Sequence, residues 1–253
     1  MRMTGTTMMS VQERLSVLAW DELDRSLWER GYAETSPVLT RDECEAMISL
    51  WDDERRFRSR VDMARHRFGI GEYKYFADPL PALVTALRVH LYPPLARVAN
   101  AWAEALGDRE SPNHESANRG PFPDTLDAFR ARCAAAGQTK PTPLVLRYTE
   151  GGYNCLHQDV YGDVAFPLQA VVMLSRPGVD YDGGEFLLVE QRPRAQSAGE
   201  VVTAPQGAIV LFTTRVRPMR GARGFYRASV RHGVSRIRRG TRYAMGIIFH
   251  DAR

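Results

Sequence analysis

The stretch YNCLHQDVYGD, residues 153–163, holds three side chains able to bind a metal: Cys155, His157 and Asp159. His157 and Asp159 lie two apart, so on an extended chain they project to the same side. The pair alone is a weak signal, because the His and Asp content of the chain gives about 0.4 such matches by chance. A thiolate is out of place beside this carboxylate in an oxygen-chemistry site, so Cys155 reads as a packed thiol. A third donor must come from a distant strand. The late candidates are His232, in RASVRHGVSRI, and His250, in IIFHDAR. Two imidazoles and one carboxylate on one face of a metal leave three positions open, the donor set suited to Fe(II) and dioxygen.

Ten residues after His232 comes Arg242, opening a β-rich run. Along that run Arg242, Ala244, Gly246 and Ile248 share one face, and Tyr243, Met245, Ile247 and Phe249 share the other. The Arg face carries small residues and leaves room for a ligand. A buried guanidinium needs an anion, and none lies nearby in sequence. A dicarboxylate cosubstrate would supply one through a bidentate pair. Tyr148, nine residues before His157, could donate its hydroxyl to the same carboxylate. The other histidines, His66, His90 and His114, read as structural or exposed.

These residues need a scaffold that brings late strands beside early ones. From Thr142 onward the chain is a series of short β-rich runs: PLVLRY, QAVVMLS, GEFLLVEQ, GEVVTA, GAIVLFT, GVSRI and RYAMGIIFH. Gly, Pro and Asp punctuate them, and no helical pattern intervenes. That texture predicts an antiparallel jelly roll. The first half reads as mainly helical. SVQERLSVLAWDELDRSLWERG has helical spacing and stops at Gly31. TRDECEAMISLWDDE opens with Thr40 and Glu43 in capping-box spacing. DPLPALVTALRVHLY reads as a helix interrupted at Pro93-Pro94, and a short helix follows over residues 124–136. The polar loop at residues 107–123 is placed to cover the site. The expected fold class is α+β: one domain, with residues 1–141 as helical support and loop, and residues 142–253 as the jelly-roll core.

Composition narrows the setting. At 253 residues, 44% hydrophobic and 25% charged, the chain has the make-up of a globular protein. No apolar run approaches the ~20 residues that span a bilayer, and MRMTGTTMMSVQERL lacks a signal-peptide core. Three widely spaced cysteines, Cys44, Cys133 and Cys155, suit reduced thiols. The expectation is a cytoplasmic protein without a membrane contact or an obligate protein partner.

Taken in order, HQD, GVDYDGGEFLLVE, PQGAIVLF and RHGVSRIRRGTRYAMGIIF resemble the 2-oxoglutarate and Fe(II)-dependent dioxygenases. The resemblance covers residues 142–250 and implies a double-stranded β-helix, another name for the jelly roll. It implies that His157, Asp159 and His232 are the iron ligands. It further implies that Arg242 binds the far carboxylate of 2-oxoglutarate with Tyr148 as helper, that O2 is the oxidant, and that Gly183 and Gly184 form the turn before a core strand. FGIGEYKYF, RHGVS and GIIFHDA are similar to a bacterial branch assigned to oxidative demethylation of damaged nucleic acid. Two features differ from AlkB-like demethylases. Where those enzymes carry a second Arg six residues after the first, this chain has Ile248, and the His232–Arg242 spacing is similar to the prolyl-hydroxylase type.

The net charge is only +4, yet from Gln191 to Arg242 there are 12 Arg and one acid, Glu200. Within RVRPMRGARGFYRASVRHG, the residues Arg220, Arg223 and Tyr226 are candidates to contact phosphates and stack on a base; the plainer reading is a solvated basic loop. The expected function is an Fe(II)- and 2-oxoglutarate-dependent dioxygenase that hydroxylates or oxidatively demethylates its substrate, with alkylated DNA or RNA as the candidate. The alternatives are a hydroxylase of a protein side chain or small molecule and, in another class, a non-enzymatic jelly-roll protein that binds a ligand. The complete donor set argues against the last.

Overall fold

The computed structural model describes residues 9–107, 121–159 and 162–253. The loop expected to cover the site lies almost wholly outside them, as does His114. The helices are α1 (Val11–Ser16), α2 (Trp20–Arg30), α3 (Arg41–Ser49), α4 (Ala82–Ala105) and α5 (Leu126–Ala135). The strands begin with β1 (Tyr32–Glu34), β2 (Phe57–Asp62), β3 (Gly69–Ile70), β4 (Glu72–Phe76), β5 (Leu144–Tyr148), β6 (Tyr153–His157) and β7 (Leu168–Met173). They continue with β8 (Tyr181–Gly183), β9 (Phe186–Gln191), β10 (Ala198–Val202), β11 (Ile209–Thr213), β12 (Val216–Gly221), β13 (Gly224–Val234), β14 (Ile237–Gly240) and β15 (Arg242–Ile247).

Two antiparallel sheets face each other. The larger has the order β1-β11-β7-β15-β5-β4-β2, and the smaller β10-β9-β13-β6-β3 with β12 paired to β13. Period-2 alternation divides the strands of the large sheet between two apolar layers. Leu168, Ala170 and Val172 of β7, Ile209 and Leu211 of β11, and Met245 and Ile247 of β15 pack against the helices. Val171 and Met173, Val210 and Phe212, and Ala244 turn inward to meet Phe186 and Leu188 of the small sheet. The result is the expected double-stranded β-helix with helices backing one face. On β15 the outer face is Met245 and Ile247, and the inner one is Arg242, Ala244 and Gly246.

The N-terminal half departs from its mainly helical reading by supplying β1 to β4, three of them to the large sheet. In β4 the reason is plain: Tyr73 and Tyr75 alternate with Lys74 and Phe76, both buried. The first helical stretch divides at residues 17–19 into α1 and α2, and Gly31 ends α2 in a left-handed cap at φ 79°. Thr40 and Glu43 form their capping box at the start of α3. Helix α4 is not interrupted at Pro93-Pro94 but runs through both prolines. Leu91, Tyr92, Leu95 and Ala96 on either side are buried in one core, and that packing outweighs the lost backbone hydrogen bonds. The Arg-rich segment is not a loop. It is the β12–β13 hairpin, with Pro218 tolerated because β12 is an edge strand. No helix of the described residues is long and apolar enough to cross a membrane.

The chain beyond β15 is tied down by a buried charge. Arg88 of α4 donates to the carbonyl oxygens of Ile248 (2.9 Å) and Phe249 (2.7 Å) and pairs with Asp251 at 2.5 Å. Arg130 of α5 reaches the other Asp251 oxygen at 3.0 Å. Arg88 and Asp251 are both almost fully buried. Asp251→Ala leaves Arg88 without its countercharge, and such a loss costs about 3–5 kcal/mol. The midpoint of urea unfolding should fall accordingly; an unchanged midpoint would show that the ion pair contributes nothing.

Candidate metal centre

Strands β6 and β13 run antiparallel and set His157 directly opposite His232. Their rings approach to 4.2 Å between centroids. Asp159 lies two residues beyond the end of β6 and inserts between them. Its Oδ1 is 3.3 Å from His157 Nε2 and its Oδ2 is 3.2 Å from His232 Nε2. One donor atom from each of the three residues lies within 4.8 Å of the others, a spacing that can hold one ion.

The surroundings orient each donor. His157 Nδ1 lies 2.8 Å from the Cys155 carbonyl. A carbonyl only accepts, so Nδ1 carries a proton, which leaves Nε2 as the atom that would bind a metal. Burial lowers the His157 imidazole, but Asp159 beside Nε2 more than offsets this and raises it. Gln169 of β7 donates its amide to Asp159 Oδ2 at 2.6 Å and fixes the rotation of the carboxylate. Gln158, between His157 and Asp159, lies within 3.0 Å of Arg215 O and Ser229 Oγ and 2.8 Å of Val230 O, which holds this segment to β13. Burial alone would raise the Asp159 carboxyl, but His232 and His157 more than offset it and hold it well below the ordinary carboxylate range. Burial pushes His232 the other way, toward the neutral imidazole a metal requires.

Arg242 opens β15 directly opposite Tyr148 of β5. Both are buried. The guanidinium lies 5.8 Å from the Tyr148 ring and 5.9 Å from the Tyr181 ring, and Nη2 meets Met173 Sδ at 3.4 Å. Among the described residues no carboxylate pairs with Arg242, and neither its Nε nor the Tyr148 hydroxyl has a hydrogen-bond partner. Burial raises the Tyr148 phenol, so its hydroxyl stays a donor. Two glycines allow this packing. A Cβ on Gly71 would come within 2.7 Å of the Tyr148 ring, and one on Gly184 within 3.0 Å of Arg242 Cδ. Both have positive φ, at 152° and 63°, and Gly184 lies in the turn expected before β9.

A cavity of about 380 Å³ joins these groups. Its buried end holds Arg242 and Tyr148, its wall holds the His157–Asp159–His232 cluster, and its open edge is Arg67, Phe68 and Leu156. Arg242, Ala244, Gly246 and Ile248 all line it, as their shared strand face requires, together with Tyr73 and Tyr75. The cavity lining does not include Arg220, Arg223 or Tyr226. Arg223 sits in the turn of the β12–β13 hairpin, nine residues from His232, about 30 Å along an extended strand. His250 is buried behind the site, with Nδ1 facing the Phe166 amide at 3.3 Å. Cys155, expected to be a packed thiol, is instead exposed at the edge of the cavity, though outside the donor cluster as expected. Gln169 and the Arg67–Phe68 edge were not singled out in the sequence. The signal for Gln169 was a lone polar residue in LQAVVM, a strand otherwise apolar and buried throughout.

Fold and site together define an oxygenase. The sequence model of the family described as "Oxygenase, catalysing oxidative methylation of damaged DNA" matches residues 71–252, and the chain belongs to that family. Two Mycobacterium tuberculosis proteins, the uncharacterized proteins MT2286 (strain CDC 1551 / Oshkosh) and Rv2227 (strain ATCC 25618 / H37Rv), are each 52% identical over 233 residues, covering 85% of this chain and 96% of theirs. Among solved structures, a Trichoplax adhaerens prolyl hydroxylase in complex with a hypoxia inducible factor peptide fragment is similar at TM-score 0.52 and 13% identity, over 95% of this chain and 92% of that one. The non-heme alpha ketoglutarate dependent carbocyclase SnoK from nogalamycin biosynthesis is similar at TM-score 0.50 and 16% identity, over 92% of this chain and 83% of that one. The chain is an enzyme with the double-stranded β-helix of the Fe(II)- and 2-oxoglutarate-dependent oxygenases, and the donors at its centre fit Fe(II).

Gln169→Leu removes the hydrogen bond that orients Asp159. Metal affinity should fall about 10- to 100-fold, as for other outer partners of ligating groups. Asp159→Ala should abolish binding. Titration with Co(II), followed by its visible absorption, measures both; wild-type affinity in Gln169→Leu would make the hydrogen bond incidental.

Proposed function

We propose that this oxygenase uses Fe(II), 2-oxoglutarate and O2 to oxidise methyl groups on alkylated nucleic acid. The observation that carries the reading is a cavity with two chemistries: a His157–Asp159–His232 donor cluster on its wall and, at its closed end beside Tyr148, a buried Arg242 that no carboxylate among the described residues pairs with. The damaged-DNA description of the family supports the substrate class.

In this reading His157, Asp159 and His232 hold the iron, which with 2-oxoglutarate supplies the oxidation: one oxygen atom of O2 enters a substrate C–H bond and the other enters succinate, with loss of CO2. Arg242 and the Tyr148 hydroxyl take the distal carboxylate of 2-oxoglutarate and satisfy both unpaired donors at once. Gln169 keeps the Asp159 carboxylate in one orientation. Leu144, Ala244, Gly246 and Ile248 form an apolar wall that excludes water and offers the substrate no charge. Hydroxylation of an N-methyl group gives N–CH2OH, which releases formaldehyde and restores N–H. Arg220, Arg223 and Tyr226 are too remote for the target base and would act on the strand beyond it.

The iron-loaded enzyme with 2-oxoglutarate should release formaldehyde from N-methylated single-stranded oligonucleotides and not from unmethylated ones. Formaldehyde release from no methylated oligonucleotide, with succinate formed on peptides or metabolites instead, would reject the substrate class. Arg242→Ala should weaken 2-oxoglutarate by about 1.5–3 kcal/mol, the value of a charge-assisted bond, with little change in metal affinity. Calorimetric titration with 2-oxoglutarate decides it. Arg220→Ala with Arg223→Ala should lower the log–log salt slope of oligonucleotide affinity by about 1.4, at ~0.7 per phosphate; an equal slope would leave the hairpin outside the interface.

A further inference from the structure

The open edge of the cavity is built by the turn between β2 and β3, and it has the composition of a nucleic-acid contact rather than of a lid or a core. Phe68 is 46% exposed although it lines the cavity. One face of its ring is already stacked on His66, at 5.4 Å and 23° between planes. Leu156, 41% exposed, lines the same edge from β6. Arg67 also lines the cavity, is exposed, and has no ion-pair partner among the described residues. Other arginines near this edge are committed: Arg65 pairs with Asp62, and both Arg60 and Arg147 pair with Glu72.

The turn is held rather than free. Phe68 N donates to Met63 O at 3.0 Å, Met63 N to Gly71 O at 3.0 Å, and Cys155 N to Phe68 O at 2.8 Å, tying it to β6 close to the metal cluster. Arg67 adopts a left-handed conformation, φ 60° and ψ 28°, at the end of the Ala64–His66 turn. A side chain other than Gly or Asn costs energy there, and such residues gather at functional sites. An exposed aromatic ring and an uncommitted cation are thus presented together, in fixed geometry, at the entrance to the reaction site.

We infer that this edge is a reading platform for single-stranded nucleic acid. The base next to the modified one stacks on Phe68, Arg67 takes the intervening phosphate, and the modified base enters the cavity. The inference rests on the nucleic-acid reading above and deepens it. An extruded base leaves its neighbour without a stacking partner, and Phe68 replaces that partner. The edge is adjacent to the metal cluster, whereas Arg223 in the hairpin turn is nine residues and Arg220, opposite Phe225, is seven residues from His232, about 30 and about 23 Å along β13. The edge is therefore better placed than those two arginines to set which nucleotide is presented.

The test uses the full chain loaded with Co(II) and 2-oxoglutarate, and the anisotropy of a labelled single strand carrying one N-methylated base. Phe68→Ala should weaken binding about 5- to 150-fold, the range for one stacked base, without changing the salt slope. Phe68→Trp should restore affinity, which a merely structural role would not predict. Arg67→Ala should lower the slope by about 0.7, the share of one phosphate. Co(II) and 2-oxoglutarate affinities should match wild type in all three. Wild-type affinity in both Phe68→Ala and Arg67→Ala, with binding lost in Arg220→Ala/Arg223→Ala, overturns the inference while the nucleic-acid reading stands. Failure of the unmodified protein to bind any methylated strand removes both.

Discussion

An ionised carboxylate inside a barrel is expensive, and Asp159 is one. Its cost is offset locally by two imidazoles and one amide, drawn from three parts of the chain. Each must arrive on a strand in the right register, because a slip of one residue would turn the donor to the far face of its sheet. The antiparallel pairing of β6 with β13 and the inward phase of β7 are therefore requirements of this carboxylate as much as of the core. The same phase on β15 sends Arg242 inward and Met245 toward the helices.

That alternation is why much of the site could be read from sequence. A period of two is a local property, so the cavity face of β15 followed from the residues alone. The pairing of Arg242 with Tyr148 did not, since register across strands distant in sequence depends on the whole barrel. Gln169 stayed hidden for a related reason. A single polar residue in a buried strand announces only that it needs a partner, and the partner, Asp159, comes from another element. Among the described residues its Oε1 remains unpaired, a cost a core would shed by replacing Gln with an apolar residue but a carboxylate-orienting amide cannot avoid.

Two of the misread elements share one cause: tertiary packing overrode a local signal. Pro93-Pro94 marks a helix break by its own chemistry, yet α4 has buried apolar residues on both sides of it. Pro218 and a run of arginines suggest a loop, yet Arg217 is buried, bonded to the Trp28 carbonyl at 2.9 Å and to Glu190 at 2.6 Å, and Phe225 packs on Trp28 at 5.7 Å. Part of the basic cluster thus fastens the hairpin to α2 rather than facing a partner.

Two buried arginines show how structure separates support from function. Arg88 has two backbone carbonyls and Asp251 within 2.9 Å, so its charge is answered by the fold. Arg242 is equally buried but among the described residues meets a thioether and two aromatic rings and no carboxylate. Weak contacts of that kind cannot offset the desolvation of a guanidinium, which costs several kcal/mol. The deficit is tolerable only if the missing anion comes from outside. Arg242 lies at the closed end of a cavity whose wall carries a metal-type donor cluster, and the proposed distal carboxylate of 2-oxoglutarate would answer its charge and tie the two halves of the site into one reaction centre.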